Sequence, residues 1–163
     1  RLDVFKLTDY DAMKFLVSQS DIATRKRDYQ MEHYARNRPS DGIHIINIRK
    51  TWEKLLFAAR AIAVIENPAD VAAGSAHPYA QRAELQLAAP IGATPICGRF
   101  TTGSLTNHLL KNCLEPRLLA GSDPEVHQQE GRDASYENTP GIAPTNTDST
   151  LRFVDIAVPA NNK

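Results

Sequence analysis

Cysteine is scarce in this chain: Cys97 and Cys113 are the only two thiols among 163 residues. That number is too small for a disulfide framework and fits a reducing compartment, with both thiols expected to be free and buried. Net charge is absent as well, since 19 Lys and Arg balance 19 Asp and Glu. Neutrality speaks against a nucleic-acid partner, because such domains usually carry a basic excess. Long apolar runs are missing too. The strongest, from Leu55 to Ile65, is interrupted by Arg60 and falls far short of the roughly 20 residues a membrane span requires. Arg1 stands where a methionine would begin a chain, no leader pattern follows, and Lys163 closes the sequence soon after an apolar run, so both ends are expected to be trimmed.

The features of catalytic and metal sites are equally scarce. His33, His44, His77, His108 and His127 are scattered, with no pair at the three- or four-residue spacing that puts two imidazoles on one helix face. No Gly-x-Ser-x-Gly elbow occurs, neither cysteine lies in a nucleophile setting, and the carboxylates are dispersed. No cofactor, metal, small-molecule substrate or membrane is expected.

What remains is an ordinary globular composition, 42% apolar and 23% charged, in a length that fits one domain over residues 1–163. The charge is unevenly spread. Residues 1–60 hold 12 Lys and Arg against 8 Asp and Glu, an excess of four positive charges, so residues 61–163 carry four negative ones.

Thr8 and Asp11 form a capping-box pattern that predicts a helix over 8–18. Residues 20–39 read as a long, partly anchored basic loop. Ile43, Ile45, Ile46 and Ile48 are the clearest strand signal. Trp52, Leu55, Leu56, Ala59, Ile62 and Ala63 repeat at helical spacing and predict a helix over 51–66, opened by Thr51 and stopped by Asn67-Pro68. Beyond it, a weak strand near 70–75, a helix near 79–89, a strand at 93–97 and a helix at about 104–111 follow at short intervals. Residues 117–120 and 141–145 and the run Phe153 to Val158 are further strand candidates, while 121–139 reads as loop. Strands alternating with helices predict a mostly parallel sheet covered on both faces.

Two segments carry candidate chemistry. Gly98-Arg99-Phe100-Thr101-Thr102-Gly103-Ser104 sits between a predicted strand and a predicted helix, with glycines five positions apart as in a phosphate-cradling loop. The lysine that would face the outer phosphates is absent, which leaves either a simple anion site at a helix start or a structural turn. The stretch from Arg25 to Lys50 holds seven cations, Arg25, Lys26, Arg27, Arg36, Arg38, Arg49 and Lys50, against Asp28, Glu32 and Asp41. Such an excess can neutralise phosphates, and Tyr29 and Tyr34 could stack on bases, although packing against the domain is the better reading for both. A solvated basic face explains the charges equally well, so composition alone leaves RNA binding open.

The segments SDGIHIINIRKTWEKLLFAARAIAVIENPADV at 40–71, GATPICGRFTTGSLTN at 92–107, EPRLL at 115–119 and NTDSTLRFVDIAVPANNK at 146–163 closely resemble, in order and spacing, the eukaryotic SA family of small-subunit ribosomal proteins, relatives of the second small-subunit protein of bacteria. The resemblance implies a doubly wound, flavodoxin- or Rossmann-like α/β domain with a mostly parallel sheet of about five strands and helices on both faces. It implies a structural component on the solvent side of the small subunit between head and platform, without catalysis. Its partners would be rRNA and neighbouring small-subunit proteins, and its role would extend to late maturation of the subunit and its rRNA. It places the protein on cytoplasmic ribosomes and, during assembly, in the nucleus. Relatives continue past the position of Lys163 into further helix and an acidic tail.

The chain departs from that family at 18–28, SQSDIATRKRD, where relatives have a glycine-containing turn. It departs again at 72–80, AAGSAHPYA, where a β-branched strand is expected and a short or irregular one is therefore predicted. Gly121, Ser122 and Pro144 weaken later strands in the same way. Joined to the charge pattern, the resemblance makes Arg25, Lys26, Arg27, Arg36, Arg38, Arg49 and Lys50 the candidate rRNA contacts, with Arg99, Thr101 and Thr102 as a second group. The rival reading is a nucleotide-binding enzyme of the doubly wound class, with its ligand near Gly98 to Ser104.

Overall fold

The computed structural model describes residues 5–37, 40–111, 113–126 and 128–162, so Arg38 and His127 lie outside the described residues, as does the side chain of Arg36. Thr8 caps the first helix, α1 (Asp9–Val17), by accepting from Asp11 N at 3.2 Å, as the capping pattern predicts. A two-stranded antiparallel ribbon follows, β1 (Ala35–Asn37) with β2 (Ile45–Ile46). Then come α2 (Ile48–Val64), β3 (Val71–Ser75), α3 (Pro78–Ile91), β4 (Thr94–Cys97), β5 (Leu118–Gly121), α4 (Gln128–Tyr136), β6 (Gly141–Thr145) and β7 (Ile156–Pro159).

Strands β3 to β7 form one all-parallel sheet in the order β4-β3-β5-β6-β7. The first strand of the sheet is interior, the chain leaves it on one side to make β4, and then crosses to build β5, β6 and β7 on the other. This is the doubly wound arrangement, with its switch point between β3 and β5. Both faces are covered. Val71 and Leu118 pack with Ala58 of α2, Ile142 and Val158 on one face, while their chain neighbours Ala72 and Leu119 pack with Leu105 and Ala134 of α4 on the other. Side chains alternate across a strand, so these adjacent pairs assign one core to each face.

Several elements differ from the sequence expectation. β3, expected to be short or irregular, is a complete five-residue strand, buried along its whole length between β4 and β5. Its small residues suit a position squeezed from both faces. A Cβ at Gly74 would fall on Glu130 Oε2, with the carboxyl carbon only 3.0 Å away. The isoleucine run yields just the two-residue β2, because Asn47 already caps α2 by accepting from Arg49 N at 3.2 Å. The helix expected at 104–111 is instead a series of turns, and 128–136, read as loop, is α4. Among its described residues the basic loop 20–39 contains a 3-10 turn at Tyr29–Met31 as well as β1. Cys97 is exposed and Cys113 half-buried; both are free, as expected, but neither is buried. No helix among the described residues is long and apolar enough to cross a membrane.

Candidate nucleic-acid interface

Arg25, Lys26 and Arg27 sit on a strap, residues 20–28, that crosses the carboxyl ends of β6 and β7. Backbone amide donors must find acceptors wherever a chain is buried against another, and the strap finds them in the loops that leave these strands. Asn161 N donates to Ser20 O at 2.9 Å, and Asp28 N to Thr147 O at 2.8 Å. Between those ties, Thr24 N donates to Thr147 Oγ1 at 3.3 Å and the two threonine hydroxyls lie 3.0 Å apart. Thr147 itself is fully buried. On its other side the strap joins β2: Ala23 N donates to His44 O at 3.0 Å, His44 N to Thr24 O at 3.3 Å and Ile46 N to Asp21 O at 2.8 Å.

Arg25, Lys26 and Arg27 occupy the exposed turn between these anchors. Arg27 pairs with Glu32 at 3.1 Å, both side chains being well exposed, so the pair is solvent-screened and contributes little to stability. No ion pair holds Arg25 or Lys26 among the described residues. Arg49 is exposed on the first turn of α2, immediately after β2. Lys50 differs: its Nζ donates to His33 O and lies 5.9 Å from the Tyr34 ring, so it braces the approach to β1. Tyr34 is half-buried, as expected, whereas Tyr29 projects from the surface with 78% of its area exposed. Arg36 lies on β1.

The second group is far from the first. Arg99, Thr101 and Thr102 are exposed in the loop after β4, at the opposite edge of the sheet. Strands are spaced at about 4.8 Å, which puts the two groups roughly 14 to 19 Å apart across the rim. This loop does not open a helix, so the premise of a helix-start anion site is lost. Its most eligible donor is also occupied, because Gly103 N donates to Asp133 Oδ2 at 2.9 Å. Asp133 is buried on α4 and its other oxygen accepts from Gln129 Nε2 at 2.8 Å. The chain's own carboxylate thus fills the place a phosphate oxygen would take.

The switch point is no better suited to a nucleotide. There Ser122 Oγ donates to Ser75 Oγ at 3.2 Å, and the buried carboxylate of Asp123 faces His77 Nε2 at 3.7 Å. The Asp123 carboxylate opposes a phosphate seated inside this crevice, behind His77. Sequence reasoning missed both Thr147 and Asp133. Thr147 sits in the NTDST segment that carries the family resemblance, a signal that was present; Asp133 lies on a polar helix that gave none.

The fold and the rim together define a doubly wound α/β domain that displays Arg25, Lys26 and Arg27 on a strap pinned to the sheet. No protein-family model matches the chain. Curated proteins do. It is 56% identical over 162 residues to the small ribosomal subunit protein uS2 of Brugia malayi, covering 99% of this chain and 54% of that protein. It is 54% identical to the uS2 of Trichoplax adhaerens and 53% identical to that of Nematostella vectensis, again over 162 residues and 99% of this chain, covering 57% and 52% of those proteins. The chain spans about half the length of the curated relatives it matches. Over that span it is similar to the uS2 (SA) family at 53–56% identity.

Proposed function

We propose that the chain is a structural constituent of the small ribosomal subunit, that it binds rRNA and neighbouring ribosomal proteins, and that it carries out no bond chemistry. The observation that carries this reading is the 53–56% identity, over nearly the whole chain, to proteins named small ribosomal subunit protein uS2. The strap supports it. Arg25, Lys26 and Arg27, with Arg49 nearby, are the cations offered to phosphate, and the buried ties at Thr147 fix them in place, which lowers the ordering cost of binding. Arg36 and Arg38 extend the same basic segment. Lys50 supports the surface from within, and Arg99, Thr101 and Thr102 form a separate contact at the far edge. The acidic remainder suits basic protein neighbours. Residence on cytoplasmic ribosomes, nuclear passage during assembly and a part in rRNA maturation follow from the same reading. The nucleotide-binding alternative gains nothing from a loop whose donor is taken by Asp133 and a crevice whose interior holds the Asp123 carboxylate.

Sucrose-gradient sedimentation of a cell extract containing the tagged chain tests the proposal. The expected result is a peak with the small subunit that is lost after ribonuclease treatment; a chain found only in the soluble fractions overturns it.

A further inference from the structure

The segment 72–80, where the chain departs from its family's pattern, ends in a pair of stacked rings. His77 and Tyr79 lie with centroids 4.7 Å apart and planes inclined by 17°. Both are held at the carboxyl rim, at the start of α3. His77 is the N-cap residue, its carbonyl accepts from Ala80 N and Gln81 N at 3.0 Å each, and Pro78 fixes the first helical position. Behind its imidazole the buried carboxylate of Asp123 lies 3.7 Å from Nε2. Tyr79, by contrast, is 55% exposed. A large aromatic ring left half in water and backed by a second ring is an open stacking surface.

The surroundings are cationic on the solvent side. Arg82 is exposed three residues further along the same helix, a spacing that puts it beside Tyr79. Gly98 N donates to Ser75 O at 2.8 Å, which brings the loop carrying exposed Arg99 next to the loop carrying His77. The carboxylate nearby, Asp123, is turned inward onto His77 and is 5% exposed. The exposed Tyr10 ring, by contrast, is already covered by Lys14 Nζ at 4.2 Å.

We propose that the His77–Tyr79 stack, flanked by Arg82 and Arg99, is a platform for one unpaired nucleobase of single-stranded RNA, with the two guanidinium groups taking the adjoining phosphates. Every base offers a π face, so an aromatic slab with cations at its edges binds single strands with little sequence preference. A folded helix would keep its bases stacked inside and could not use it. This inference rests on the rRNA reading above and names the form of RNA involved.

Small subunits from cells making the tagged chain are irradiated at short ultraviolet wavelength, and nucleotide adducts are mapped on the tryptic peptide 61–82. The expected result is an adduct at Tyr79. In parallel, Tyr79→Ala should weaken binding of a short oligouridine about five- to 150-fold while Tyr79→Phe keeps it near the original value. If the chain sediments with subunits but gives no adduct, and Tyr79→Ala binds oligouridine like the original, the platform is wrong and the ribosomal reading stands. If the unmodified chain does not sediment with subunits, the ribosomal reading itself fails. An adduct joining Tyr79 to another protein instead of a nucleotide also overturns the platform, in favour of a peptide ligand.

Discussion

Gly74→Ala tests the packing of the central strand most directly. Gly74 is buried on β3 between two hydrogen-bonded neighbours, Ile96 of β4 and Gly121 of β5, in register with it. The added methyl would meet the Glu130 carboxyl group, with Cδ at 3.0 Å and Oε1 at 3.1 Å and Oε2 closer still. The carboxyl group is the far end of a flexible side chain and in a looser setting would swing aside. Here Glu130 is 1% exposed and wedged between α4 and the sheet. The strain therefore passes to α4 or to β3. Overpacking of this kind costs about 1 to 3 kcal/mol, and for a chain of this size each kcal/mol lowers Tm by roughly 2 to 4 °C. Thermal unfolding followed by circular dichroism should show a fall of about 2 to 12 °C. The double variant with Glu130→Ala has room for the methyl, so its destabilisation should be less than the sum of the two single effects, a coupling of the kind seen between residues in contact. An unchanged Tm for Gly74→Ala, or strictly additive effects, would refute the steric argument.

Three further outcomes are expected. If four cations touch phosphate, log Kd for rRNA fragments should change against log salt with a slope of magnitude about 3 to 4, and replacing Arg25, Lys26 and Arg27 by glutamine should lower it by roughly 2 to 3; a slope that ignores the substitutions removes the strap from the interface. Thr147→Val keeps the shape but deletes the hydroxyl that meets Thr24, so amide hydrogen exchange at 23–28 should quicken while exchange in β3 and β5 stays slow, at a stability cost of about 1 to 2 kcal/mol measured by urea unfolding. Asp133→Ala leaves Gly103 N and Gln129 Nε2 without their acceptor and should cost about 2 to 3 kcal/mol in the same assay; an unaltered midpoint would mean that the clamp does not stabilise the loop.

The helices with apolar spacing were legible. The Trp52 to Ala63 pattern marks α2, and only its start was misplaced, because Asn47 caps it before Thr51 can. The alternation of strands and helices was legible too, since it follows from burial on both faces. β3 was undervalued because Ala72, Ala73 and Gly74 have poor intrinsic strand preference, and tertiary squeezing by Glu130 and both neighbours overrides preference. α4 was invisible because its inward face is Glu130, Asp133 and Ala134, a pattern that reads as solvent-facing until the partner of Asp133 is seen. The predicted helix at 104–111 was undone by turn chemistry: Gly103 has a φ of 85°, and the Asn107 side chain accepts from Leu109 N at 3.0 Å. At the candidate site, basic residues at 25–27 were readable as a cluster, but that Lys50 is engaged by the His33 carbonyl and that Arg99 stands at the other edge are consequences of chain topology.

Thr24 and Thr147 stand 123 positions apart in sequence, and Ser20 reaches across to Asn161. On a ribosome making this protein, the basic turn at 25–27 emerges early yet has no berth until β6 and β7 have left the exit tunnel. The strap carrying Arg25, Lys26 and Arg27 is consequently pinned only after β6 and β7 have been made, although its residues are among the earliest synthesised.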